Sequence, residues 1–226
     1  MAKMHHHRLR YEKSGLAVYI SHLDTMACFQ RAFLRAGLEI WQTEGFNRHA
    51  YVSIALPLPV GFSSRCEVME FDLESDLPLE EVPGRLNAVL PEGIRVLECY
   101  PARDPFGLLK VLDWEILLEY DHGVPDGVES AFGEMLGQEH LVVRKKSKKA
   151  KCGYTEVDLI PLVQKWSLTR EGEQALRLDC RLAAQNPGLN PQLLFEAFSA
   201  HAPTLAPDFV RFCRTEAWRE DGMRFR

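Results

Sequence analysis

No apolar run in the 226 residues approaches the roughly 20 needed to cross a bilayer. Met1-Ala2-Lys3-Met4-His5-His6-His7 leads into charge and not into the apolar core of a signal peptide, so a cytoplasmic protein is expected. The six cysteines form no C-x-x-C pair and no Cys-His cluster, which excludes zinc ribbons, iron–sulfur clusters and a disulfide framework. Reduced core thiols are the reading, with no cofactor and no metal. The stacking aromatics of an RRM-type RNA-binding sheet are missing as well. No function is assigned to His5-His6-His7.

What is present is a globular composition, 46% hydrophobic, enough for one large core or two modest ones. The net charge of −5 counts against a partner made of phosphate, because counterion release is driven by Lys and Arg. Its distribution reverses that inference locally. Residues 144–151 carry Arg144, Lys145, Lys146, Lys148, Lys149 and Lys151 and no acidic residue. A concentrated basic segment sits on an acidic body.

Along the chain, Arg8–Val18 reads as a strand. Ser21 then opens a helix whose apolar Leu23, Met26, Phe29, Phe33 and Ala36 recur at spacings of three and four, until Gly37 closes it. Strands follow at Glu39–Gln42, Tyr51–Leu58 and Glu67–Glu74, a helix at Leu79–Leu90 and a strand at Ile94–Tyr100. After a linker at Pro101–Gly107 the order begins again. Strands are expected at Asp113–Tyr120, His140–Lys145, Tyr154–Leu162, Ala175–Leu182 and Phe209–Trp218, with helices at Pro125–Gly137 and Pro191–Ala200. This order predicts an α+β protein of tandem ferredoxin-like (split β-α-β) modules. Antiparallel sheets would carry helices on one face and leave the other face free. The modules are placed at 1–107 and 108–226, the second with the basic hairpin. Tyr51…Pro57-Leu58 and Tyr154…Pro161-Leu162 suggest a weak internal repeat.

Three segments carry candidate chemistry. Ser21-His22-Leu23-Asp24 reads first as a capped helix start, with Asp24 reaching back to the cap. The same helix end presents N–H groups suited to phosphate. Gly45-Phe46-Asn47-Arg48-His49 reads as a turn. If Glu39–Gln42 is the second strand of its sheet, His22, Asp24, Asn47, Arg48 and His49 converge; if Tyr51–Leu58 is, they do not. Converged, the two histidines and the aspartate could serve metal-free RNA cleavage or bind a divalent metal. The third segment is the basic run, whose cations repel one another unless they meet an external anion.

Arg8-Leu9-Arg10-Tyr11-Glu12-Lys13-Ser14-Gly15, Tyr19-Ile20-Ser21-His22-Leu23-Asp24, Arg31-Ala32, Arg35-Ala36-Gly37-Leu38, Gly45-Phe46-Asn47 with His49, Pro57-Leu58 and Gly61 resemble the bacterial radical-SAM-linked domain family. In the second half the resemblance rests on Glu156-Val157-Asp158 after the basic run and on Asn190-Pro191-Gln192-Leu193-Leu194. Ala27, Arg48, Ala50 and Val68 depart from its usual residues. Members occur alone or joined to a cobalamin-type radical SAM protein, so the resemblance implies a setting in RNA modification or processing. The three closely spaced cysteines of a radical SAM enzyme are absent, which assigns any such chemistry to a partner.

The expected function is an accessory RNA-binding or substrate-presenting protein without catalysis of its own. Its partners would be tRNA or rRNA and a radical SAM protein. Arg144, Lys145, Lys146, Lys148, Lys149 and Lys151 would contact phosphate, and His22, Asn47, Arg48 and His49 would hold a specific group. The alternatives are an RNA-cleaving enzyme using His22, Asp24 and His49, and a protein-docking module that binds no nucleic acid.

Overall fold

A computed structural model describes residues 6–44, 46, 48–146 and 153–226, in two compact units. The first comprises residues up to Leu109 together with Cys213–Arg226, and the second is Lys110–Phe212. Both mix helices with mostly antiparallel sheet, as the element order predicts. The expected division at residue 107 differs from the observed one at the C-terminus, where residues after 212 pack with the first unit.

In the first unit β1 (His6–Lys13) pairs antiparallel with both β3 (Ser63–Asp72) and β4 (Ile94–Pro101), and β2 (Val52–Ile54) pairs with β3. The expected strand at Glu39–Gln42 is reduced to two isolated bridges, Ile40 with Leu73 and Gln42 with Ala50. Helix α1 (His22–Arg35) and the short α2 (Val82–Asn87) cover one face. Alternation along β1 turns Leu9 and Tyr11 toward them. Tyr11 meets Phe29 edge-on at 4.8 Å between ring centres, and Phe33 meets Phe71 at 4.8 Å. Each such fully buried side chain contributes about 1.5–3 kcal/mol. Gly93, at φ +86°, donates the turn into β4; a Cβ there would stand 2.4 Å from the Ser14 carbonyl oxygen, so only glycine fits.

The opposite face of this sheet is not free, which corrects the expectation. Residues 102–109 and the tail after β10 (Phe209–Trp218) lie over it. Arg8 is 2% exposed, its guanidinium lying between the rings of Phe106 and Phe225 at 4.8 and 5.1 Å. It donates to Glu70 and to the main-chain oxygens of Asp104 and Arg226. Arg10 pairs with Glu216, Arg219 with Asp104, and Arg226 with Glu98. Leu9 and Tyr11 thus enter the apolar core, whereas Arg8 holds the C-terminal tail and Arg10 pairs with Glu216 of β10.

In the second unit β9 (Ala175–Ala183) runs antiparallel between β5 (Val111–Glu119) and β8 (Val163–Arg170), and β10 lies beside β5. Helices α3 (Val128–Leu136) and α4 (Pro191–His201) close an aromatic core. There Phe132 lies 4.5 Å from Phe198 and 5.8 Å from Phe195, ring to ring. β5 and β9 alternate buried and half-exposed residues, as their sequences predict.

β8 is the strand that sequence reading missed. Its residues Val-Gln-Lys-Trp-Ser-Leu-Thr-Arg are mostly exposed, so no apolar alternation marks it. The expected strand Tyr154–Leu162 instead stops at Asp158, where Pro161 lies in a 3-10 turn, Ile160–Leu162. Among the described residues β6 (Val142–Lys146) and β7 (Tyr154–Asp158) pair only with each other, as a separate two-stranded hairpin. The Tyr…Pro-Leu match therefore does not mark equivalent strands: β2 belongs to the main pairing of its unit, β7 to the hairpin.

Candidate nucleic-acid interface

Ser21 caps α1 as its sequence predicts. Its Oγ accepts from the Asp24 N–H at 3.1 Å and donates to the Asp24 carboxylate at 2.6 Å. The carboxylate thus receives the serine hydroxyl, a variation on the expected reciprocal box. His22 is half-buried in the first turn. The helix begins at the rim where β1 ends, since Lys13 Nζ donates to the Ile20 carbonyl at 2.8 Å and Lys13 pairs with Ser64.

The 44–49 loop leaves from elsewhere. Ile40 bridges Leu73 and Val52 pairs with Phe71, near the opposite rim, where His6 meets Asp72. Gln30 of α1 donates to the Ala50 carbonyl at 2.9 Å. Gln30 follows His22 by eight residues, about 12 Å along the axis. Arg48 and His49 are exposed, and His49 Nδ1 lies 3.1 Å from Thr43 Oγ1. Asn47 lies outside the described residues. Among the described residues no three His, Cys, Asp or Glu side chains come together as a metal site. The loop is thus tied at Ala50 to the middle of the helix whose start holds His22.

The hairpin carries the remaining candidates. Arg144 and Lys145 are exposed on β6; Lys148, Lys149 and Lys151 lie outside the described residues, as does the side chain of Lys146. Arg144 stands 3.9 Å from Glu156 across the ladder, with both side chains largely solvated. A pair of that kind holds little energy and yields readily to another anion. The base of the hairpin is fastened by Asp158. Its Oδ2 lies 2.8 Å from His140 Nδ1, and its Oδ1 accepts from the N–H groups of Leu141 and Ile160. The hydrogen bond with His140, helped by those N–H groups, holds the Asp158 carboxyl below the usual carboxylate range.

Sequence reading passed over what faces the hairpin. Arg144, Lys145 and Tyr154 line a cleft of about 380 Å³ with Asn190, Gln192, Leu193 and Glu196 from the start of α4. The only signal available in the sequence was the cap itself, Asn190 before Pro191, whose Oδ1 accepts from Gln192 N–H at 3.1 Å. Nothing along the chain ties that cap to a hairpin some 40 residues earlier.

Fold and site together define a two-unit α+β protein that bears a basic hairpin. The chain belongs to a family described as uncharacterised proteins conserved in bacteria (DUF2344), whose sequence model matches residues 6–191. No curated protein matches it. Among solved structures it is similar to a chain in "Crystal Structure of a Cbf5-Nop10-Gar1 Complex", at 11% identity and TM-score 0.53, over 95% of this chain and 50% of that one. A chain in "Structure of H/ACA RNP bound to a substrate RNA containing 2'-deoxyuridine" gives 9% identity and TM-score 0.48, over 95% and 49%. The protein thus spans about half the length of these solved chains, and the first likeness is one of fold. No helix among the described residues is long and apolar enough to cross a membrane.

Proposed function

We propose that the protein is an accessory RNA-binding protein that presents a structured RNA, tRNA or rRNA, to a radical SAM partner for modification or processing. The observation that carries this reading is the set-apart hairpin β6–β7, with exposed Arg144 and Lys145, in a sequence that adds Lys148, Lys149 and Lys151 between the two strands. A two-stranded arm outside the main pairing can follow an RNA backbone while the acidic body stays clear of it. The strand orders support tandem ferredoxin-like modules. Each unit places its first strand beside its third, with a helix after the first and third strands, and the hairpin is an insertion in the second. The radical SAM partner rests on the sequence resemblance, and catalysis is assigned to that partner.

Filter binding of bulk tRNA tests the reading. With about five phosphate contacts, affinity falls at least a hundredfold between about 50 and 200 mM salt. Replacing Lys148, Lys149 and Lys151 by alanine flattens that dependence. Weak binding that does not change with salt rejects the proposal.

A second reading, docking onto a protein partner, is favoured by one observation. Leu16, Tyr19, Leu23 and Val60 are more than half exposed around the start of α1, where Gly61 N–H donates to the Val18 carbonyl. Single soluble domains rarely leave such a patch bare. Leu23→Asp would abolish capture of the partner and leave tRNA binding intact if this surface docks.

A further inference from the structure

The cleft between the hairpin and α4 has the size and chemistry for a single nucleotide. Register places Arg144 opposite Glu156 and Lys146 opposite Tyr154, so Arg144 and Tyr154 share one face of the hairpin. Both line the cleft, whose volume is about 380 Å³. Tyr154 is 48% exposed and lines the cleft. Leu193 supplies an apolar wall, Asn190 and Gln192 supply carboxamides, and Glu196 an acceptor. Asn190 Oδ1 is taken by the Gln192 N–H, which orients its amide NH2 away from the helix. Gln192 Nε2 lies 3.4 Å from Glu196 Oε1, a long contact that leaves this pair open to other partners.

We propose that this cleft takes one unpaired nucleotide of an RNA single strand, with its base on Tyr154 and Leu193, its edge read by Gln192 and Glu196, and its phosphate on Arg144. The proposal rests on the RNA-binding reading above and deepens it, since it names single-stranded RNA as the class of ligand. The division of labour is chemical. A tyrosine ring stacks any base, whereas a carboxamide and a carboxylate four residues apart on one helix turn present donor and acceptor side by side. Arg144 exchanges its solvated contact with Glu156 for a phosphate, to which a guanidinium donates in fork geometry. A base within a duplex cannot reach such a cleft without leaving its stack. The surface therefore discriminates single strands, which the lysine-rich sequence between β6 and β7 does not.

The test uses fluorescence anisotropy of the full chain with a labelled single-stranded RNA of about a dozen nucleotides, and with the same sequence as a blunt duplex. Wild type is expected to prefer the single strand. Tyr154→Ala weakens single-strand binding about tenfold or more, leaves duplex binding and the salt slope unchanged, and Tyr154→Phe restores the affinity. Gln192→Ala, on the other wall, lowers single-strand affinity without touching the hairpin. The Lys148, Lys149 and Lys151 alanine variant instead weakens both forms and flattens the slope. Equal binding by wild type, Tyr154→Ala and Gln192→Ala overturns the nucleotide cleft while RNA binding stands. Absence of binding by wild type to either form overturns both.

Discussion

Arg214 Nη1 donates to Glu67 Oε1 at 2.8 Å, with side chains only 5% and 1% exposed. The same guanidinium donates to the carbonyl of Leu56 at 3.0 Å. This arginine, from the last strand, is thus the charge that neutralises a carboxylate buried in the first unit. Removing one partner leaves the other charged and desolvated, at about 3–5 kcal/mol. Arg214→Met is expected to lower unfolding free energy by that amount in urea titrations, and Arg214→Met combined with Glu67→Leu to recover much of it. A single variant as stable as wild type would mean that water reaches the pair.

The tail is expected to be a structural part of the first unit. Phe225 is 2% exposed and packs against Arg8 and Phe106. Phe225→Ala removes one wall of the Arg8 slot and should cost about 3–5 kcal/mol, as for other buried aromatics. The check is the melting temperature together with hydrogen exchange along β1, which should accelerate at Arg8 and Arg10 before the core responds.

Burial pushes the thiols of Cys66, Cys99 and Cys180 up to about 12, against an ordinary value of 9.0. They are free cysteines and remain protonated at working pH. Timed alkylation with iodoacetamide near pH 8, followed by peptide mass spectrometry, should leave these three unmodified in the native protein and label them on unfolding. Rapid native labelling of Cys66 would contradict its burial.

The hairpin base should respond to acid. Because the Asp158 carboxyl titrates below its ordinary range when folded, its stabilising effect is complete above that range and is lost as pH falls through the folded value. His140→Ala removes its largest favourable contact, so the midpoint of Asp158 in a carboxyl NMR titration should rise toward that of a free aspartate. In the same variant the Leu141 N–H should exchange faster in acid. An unmoved midpoint would show that the backbone donors alone hold the carboxylate.

Legibility in the sequence followed physical regularity. Helix α1 is readable because Phe29 and Phe33 keep its spacing and Ser21 caps it, and β9 because its alternation is strict, with β5 alternating from Leu112 onward. β8 was not, since an exposed strand keeps no apolar face to alternate. The cover over the first sheet was hidden for another reason. Arg8, Arg10 and Glu70 look like solvated charges until residues from the far end of the chain, Glu216, Phe225 and Arg226, are brought to them. Of the site, the basic run was plain, whereas Tyr154 and Gln192 acquire a common meaning only in three dimensions.

His22 and His49 offer the last measurement. Ala50 is held against Gln30, and His22 lies about 12 Å earlier along α1, so the two imidazoles are expected to act separately. Effects on RNA affinity of His22→Ala and His49→Ala are therefore expected to add, with an interaction energy below about 0.5 kcal/mol in a double-mutant cycle. Neither variant should alter any RNA cleavage seen with wild type. A coupling well above about 1 kcal/mol would require the loop to close on the helix start when RNA binds, and would revive the two-histidine site that the pairing of Ile40 with Leu73 now keeps apart.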